Sequence, residues 1–410
     1  MRSNVVKVSL FGTALLVLSA CGLVLGLPGS DQVDTNFPPD GSSDSVVSGD
    51  VVKPDGGGAD GPVGSDATPD APCGADLTTD KANCGACGHS CLGGECVASK
   101  CQPVLLLDDN TLGPSGLAVD DTYVFYTDPY NSNVGRVPKL AKVPPDAPVI
   151  VAPAGTNTYY DPWRVATDGT YFYFNDTGNL ASAPLPAVYQ CPVSGCGVTN
   201  QLRKTLFSGA NEDIGDVLVV NKVLYFTSAV AGTGKVRKCD VPDCNGGAVL
   251  VIDNQDIPDL LATDGTALYW GVENSGVVRT CALTGTCTPT VAVTLANPYG
   301  VAAAAGNVFA ISFSFAGAIV KGPATTVVSN QTWPYNVVAD ASFVYWTNRT
   351  DNAAPGGAGN GRVMRCAVGG CANAPDELAK LTTSVRGLTQ DATALYFANY
   401  GGGRIWKLAK

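Results

Sequence analysis

The stretch Leu117-Ala118-Val119-Asp120-Asp121-Thr122-Tyr123-Val124-Phe125-Tyr126 carries the pattern that decides the fold. A short strand of small apolar residues meets an Asp that opens a tight hairpin, and an aromatic, β-branched second strand follows. The block recurs from Val165 to Phe174, Val217 to Phe226, Leu261 to Trp270, Val301 to Ala310, Val337 to Trp346 and Leu388 to Phe397. These seven copies, spaced by 48, 52, 44, 40, 36 and 51 residues, match the period of a four-stranded blade, about 40–50 residues. The expected fold is all-β, with residues 102–410 forming a seven-bladed β-propeller.

The rest of each copy fits that reading. Pro114, Pro162, Pro258, Pro298 and Pro334 precede the block, with Ile214 and Val385 in the other two copies. The turn Asp is Asp120, Asp168, Asp264, Asp340 or Asp391, with Val220 and Ala304 as exceptions. A third strand is marked by Val137, Val188, Val236, Val278, Ile319, Val363 and Ile405. Two positions on, five copies carry a basic residue (Lys139, Lys238, Lys321, Arg365, Lys407), expected on the solvent side of the strand. Six copies end in a fourth apolar run, such as Val149-Ile150-Val151, and the last does not. Val104-Leu105-Leu106-Leu107, ahead of the first copy, supplies the missing strand and is expected to close the ring, hiding its edges.

Composition narrows the setting. The 410 residues include 48 Gly and only 15% charged residues, a turn-rich profile that suits β structure. A net charge of −11 excludes nucleic acid as a partner. Much of that charge lies in 22–72, where nine Asp face one Lys among Gly, Pro and Ser, and this segment reads as a disordered acidic linker. Cys73, Cys84, Cys87, Cys91, Cys96 and Cys101 make 73–101 a disulfide-rich module. Six Cys allow fifteen pairings, and the sequence does not choose among them. Four later pairs sit at one column of the repeat: Cys191 with Cys196, Cys239 with Cys244, Cys281 with Cys287, and Cys366 with Cys371. Each brackets a short turn and is expected to be bonded locally. No metal and no cofactor are expected.

At the N-terminus, Arg2 and Lys7 precede the apolar run Val8–Leu18, which ends in Leu18-Ser19-Ala20-Cys21. That ending resembles the lipobox of bacterial lipoproteins, which implies a signal peptide over 1–21 and lipidation of Cys21. Apolar residues continue to Leu27, so retention of Val8–Leu27 as a membrane anchor stays open. Either way the rest lies outside the cytoplasm, and Gly22 resembles the residue that follows the Cys in lipoproteins of the outer membrane. The stretch Asn83-Cys84-Gly85-Ala86-Cys87-Gly88-His89-Ser90-Cys91 resembles the Cys-rich segment of myxobacterial surface proteins, which implies a location and little about activity. Tyr345-Trp346-Thr347-Asn348 and Tyr269-Trp270-Gly271 look like the repeats of YWTD-type propellers, whose rings usually have six blades.

The single histidine, His89, lies in the Cys-rich module, which excludes a Ser–His–Asp or Cys–His site in the propeller. Chemistry is therefore sought at the channel mouth, where first strands begin. Ser115, Trp163, Arg164, Asp216, Asp259, Tyr299, Tyr335, Asn336 and Arg386 stand there and vary from copy to copy while the framework repeats. All but Ser115 are the ligand-binding candidates. The reading is a monomeric, non-enzymatic binding or display protein at the cell surface, held to the membrane by a lipid anchor, with a glycan or peptide as ligand. The alternative is a propeller hydrolase of lactonase or glycosidase type with Asp216 and Asp259 as acid and base.

Overall fold

The computed structural model describes residues 73–140, 145, 147–152, 161–178, 185–349 and 361–410. The signal peptide, the linker and Cys21 lie outside the described residues. Seven four-stranded antiparallel sheets form the ring: blade one spans 117–152, two 165–208, three 214–255, four 258–294, five 298–331, six 334–381, and seven 385–409. Val104–Asp108 completes blade seven, with Val104 opposite Lys407 and Leu107 opposite Ile405.

Stability comes from the interfaces between blades, and one apolar cluster fills each of the seven. The aromatic second strands supply most of the bulk: Phe125 of blade one stacks on Phe172 of blade two at 5.3 Å, and Trp270 and Trp346 are fully buried. Leu106 and Leu107 join the cluster between blades seven and one, so the N-terminal strand packs the ring shut as well as pairing its edge.

The Asp turns hold the lower end of the first hairpin in five blades. In Asp168, Asp264, Asp340 and Asp391 one carboxylate oxygen accepts two backbone N–H groups, and the other accepts the hydroxyl of a Tyr five residues on. Where the Asp is missing, the backbone makes the turn alone. Asn221 and Lys222 both have positive φ, as do Ala305 and Gly306, the pattern of a type I′ hairpin.

Two expectations about the third strand need correction. In blade one the register residue is Val134, which faces Thr127 as Val363 faces Thr347, and not Val137. Both valines are fully buried, so hydrophobicity alone does not separate them. The shift makes Arg136, not Lys139, the basic residue of that column. Nor does the column simply face solvent. Arg136 donates to the Val193 carbonyl of blade two, Lys321 to Val368 of blade six at 3.3 Å, and Lys407 to Lys139 of blade one at 3.4 Å. Those three carbonyls are equivalent by strand register, so a cation from one blade clips the hairpin of the next.

All seven disulfides join described residues. The four propeller pairs are the local ones: Cys191–Cys196, Cys239–Cys244, Cys281–Cys287 and Cys366–Cys371. The Cys-rich module is closed by Cys73–Cys87, Cys84–Cys96 and Cys91–Cys101. It sits against blade seven, with His89 Nε2 2.5 Å from the Lys410 carbonyl and Lys407 Nζ 3.4 Å from that of Leu92. Among the described residues no helix is long and apolar enough to cross a membrane. Seven disulfides fit an oxidising, extracytoplasmic compartment.

Candidate functional site at the channel mouth

Innermost strands surround a channel of about 370 Å³, which Arg164, Asp216 and Asn336 line at its upper end. Five of the seven first strands are irregular where they begin. The ladder shifts register between Ile214 and Val217, Pro258 and Leu261, Pro298 and Gly300, Pro334 and Asn336, and Val385 and Leu388. Such a bulge leaves backbone N–H groups without a ladder partner. Thr127, Asn175, Thr227 and Thr347, at one column of the second strand, accept strand-entrance N–H groups from Gly116, Trp163 with Arg164, Asp216 and Asn336 respectively. In blades three and six the bulge and the side chain that accepts its freed N–H occur together.

The predicted residues share this rim, with different degrees of freedom. Asp216 accepts the N–H of Val217 at 2.9 Å and that of Leu261, on the next blade, at 2.8 Å. Asn336 caps its own bulge through Val337 N–H at 2.8 Å. Both side chains therefore hold backbone in place. Burial raises the Asp216 carboxyl to about 6, against the opposing pull of Arg164, whose Nε lies 4.0 Å away. Ser115 is buried, at 1% exposure, and its hydroxyl has no hydrogen-bond partner.

Tyr299 and Tyr335 of blades five and six lie ring to ring at 5.1 Å, and Tyr299 donates to the Tyr335 hydroxyl at 3.2 Å. Burial opposes ionisation of both phenols. At Tyr335, Arg164, Arg386 and Arg349 outweigh that cost and hold the phenol below the ordinary tyrosine range, while burial beside Tyr335 holds Tyr299 well above it. Arg386 packs 3.6 Å from the centre of the Tyr400 ring and 5.5 Å from that of Trp163. Arg349 lies 5.6 Å from the Tyr335 ring centre. The Nε atoms of Arg164 and Arg386 are buried without a hydrogen-bond partner, although the Arg164 side chain stays near Asp216.

Sequence reading missed Phe313, Trp333, Arg349 and Tyr400. Phe313 lies 5.1 Å from Tyr299 and 5.0 Å from Trp333, ring centre to ring centre. Phe313, Arg349 and Tyr400 each stand one residue beyond a second strand, at a column that reads Pro129, Thr177, Ala229 and Glu273 in the first four blades. That column varies as the strand-entrance column does, so the same criterion finds it once the second strand's end is placed. With it, the mouth has two sides. Blades five to seven present Tyr299, Tyr335, Phe313, Arg349, Arg386 and Tyr400, whereas blade four presents Asp259 and Glu273. Burial, then the Asp259 charge, raises the Glu273 carboxyl.

No family model and no curated protein matches the chain. Solved structures share its fold. A streptogramin B lyase superposes with a TM-score of 0.54 at 14% identity, over 75% of this chain and 96% of that one. An inactive histidine-to-alanine variant of virginiamycin B lyase from Staphylococcus aureus, with quinupristin, gives 0.53 at 14% identity, over 75% and 98%. A chain of a mitotic checkpoint complex gives 0.50 at 13% identity, over 75% and 94%. Lyases and a checkpoint component thus carry the same ring, and the likeness shows the fold alone.

Proposed function

We propose that this chain is a non-enzymatic binding or display protein of the cell surface, which takes a glycan or peptide at the channel mouth. The observation that carries the reading is the rim itself: aromatic faces and guanidinium groups from different blades, fixed on a repeated backbone. Rigid presentation leaves little ordering entropy to oppose binding. A hydrolase with Asp216 and Asp259 as acid and base is disfavoured because both Asp216 oxygens already serve backbone N–H groups. A lyase chemistry dependent on histidine is disfavoured too, since the only histidine lies in the Cys-rich module. Display outside the cytoplasm would follow from lipidation at Cys21.

The test is a glycan- and peptide-array screen of the wild type and of the triple variant Trp163→Ala, Tyr299→Ala, Arg386→Ala. The variant should keep the wild-type circular dichroism and lose binding. Loss of binding on Lys238→Ala and Arg365→Ala instead would place the site on the third-strand face and refute the mouth. Cys21→Ser should abolish metabolic labelling with fatty acid. Label retained by that variant would refute the lipobox reading, and membrane association without label would mark Val8–Leu27 as the anchor.

A further inference from the structure

We propose that the cationic half of the mouth is a receptor for a carboxylated sugar ring, a uronate-type unit of an acidic glycan. The inference rests on the mouth being the binding site and names its ligand class.

Three guanidinium groups, from Arg164, Arg349 and Arg386, converge electrostatically on one phenol, that of Tyr335, in a protein whose net charge is −11. Like charges gathered this way repel: burial, and after it the Arg386 charge, hold the Arg349 guanidinium below its ordinary basicity. Arg164 is only 9% exposed, and its Nε has no hydrogen-bond partner; that of Arg386 has none either. A carboxylate arriving there would relieve the repulsion and accept N–H groups in the paired geometry that suits guanidinium.

The second half of the ligand follows from the rings. Arg386 is packed against Tyr400 and Trp163, and Arg349 against Tyr335 and Phe313. Each cation therefore has an aromatic face beside it. A pyranose with its carboxylate fixed directly on the ring can lay one apolar face on an aromatic while its edge meets the cation. The acidic side chains of a peptide carry their carboxylates on flexible arms, whose ordering opposes binding. The geometry therefore favours the acidic sugar over the acidic peptide. Asp259, whose charge reaches Tyr299, and Glu273, both on blade four, would repel a second carboxylate and restrict how a polyanion lies across the mouth.

Calorimetric titration of the full chain with galacturonate, glucuronate and mannuronate trimers, their neutral counterparts, hexaglutamate and inorganic phosphate tests the proposal. At least one uronate trimer should bind about tenfold or more tightly than its neutral counterpart, and Arg386→Gln or Arg349→Gln should each weaken it by about tenfold. Arg386→Lys should recover part of that loss, because the charge survives and the fork does not. Bound ligand should also move the alkaline absorbance titration of Tyr335 upward, since the ligand's negative charge disfavours the phenolate. Equal binding of neutral and acidic trimers, lost in the triple rim variant, would refute the uronate and keep the mouth. Tighter binding of hexaglutamate would replace the sugar with a peptide, and phosphate binding equal to that of the trimers would reduce the site to a general anion site. No binding by any uronate trimer would refute the proposal, with the array screen deciding separately whether the mouth binds anything.

Discussion

The two ends of the ring are built from the same strands under opposite rules. At the lower end, four blades close a disulfide at one column, four Asp turns hold a Tyr hydroxyl, and cations reach equivalent carbonyls of neighbouring blades. At the mouth, only backbone features repeat: register shifts at five strand entrances, and Thr or Asn side chains that accept an entrance N–H in four blades. What projects from that backbone is Trp, Asp, Tyr or Arg according to the blade. A repeated interaction is explained by packing, because every interface poses the same problem. The interactions that do not repeat are left for function to explain.

The contrast predicts that substitutions separate by end, and Trp346 should show the largest effect. It is fully buried between blades five and six, and its Nε1 donates to Gln331 at 3.2 Å. Trp346→Ala should cost about 3–5 kcal/mol, whereas Trp163→Ala at the rim should cost less than about 1 kcal/mol. Denaturant unfolding measures both, and similar losses would mean that the rim is part of the framework. Asp391→Ala should come next, at about 2–3 kcal/mol, because Thr393 and Ala394 N–H, the Tyr396 hydroxyl and Lys139 all lose a partner. Removal of Cys366–Cys371 as a double Ser variant should cost about 2 kcal/mol, the value for so short a loop. Neither change should alter ligand binding on the array.

How much of this was legible in the sequence follows from the same division. Repetition exposed the blades, the ring closure by 104–107 and the local disulfide partners, since seven noisy copies average out single exceptions. The third-strand register of blade one failed because Val134 and Val137 are both buried and only pairing with Thr127 separates them. Basic residues of that column read as solvent-facing because alternation reports the face of a strand but not the neighbouring blade's carbonyl. At the mouth, the eight predicted residues do share one rim, yet Asp216 and Asn336 are tied to backbone by bulges that no periodicity reveals. Arg349 and Tyr400 were missed because they lie past a strand end, where position depends on the turn.

Acid should act on the two ends with opposite sign, and this is the smallest effect expected. Lower-end carboxylates are hydrogen-bonded. Despite burial, backbone N–H groups and neighbouring hydroxyls hold the Asp264 carboxyl at about 2, and Asp340 and Asp391 are lowered as well. Their contribution is fully present above the ordinary carboxyl value of 3.8 and is lost as pH falls below it. The upper-end carboxyls Asp216 and Asp176 are both raised to about 6, chiefly by burial. The folded state then holds protons that the unfolded chain releases, so stability rises as pH drops through 6 toward 3.8. The melting temperature should therefore climb between pH 7 and pH 4.5 before falling in stronger acid. Asp216→Asn isolates the mouth's share, because the amide oxygen can still accept one backbone N–H and the group no longer titrates. The variant should be less sensitive to pH than the wild type by on the order of 1 kcal/mol across that window. An unchanged slope would mean that the Asp216 carboxyl is not raised and that Arg164, 4.0 Å away, keeps it ionised. In that event Asp216 also keeps its negative charge beside Arg164 below pH 6, and uronate binding should not tighten as the pH falls from 7 to 4.5.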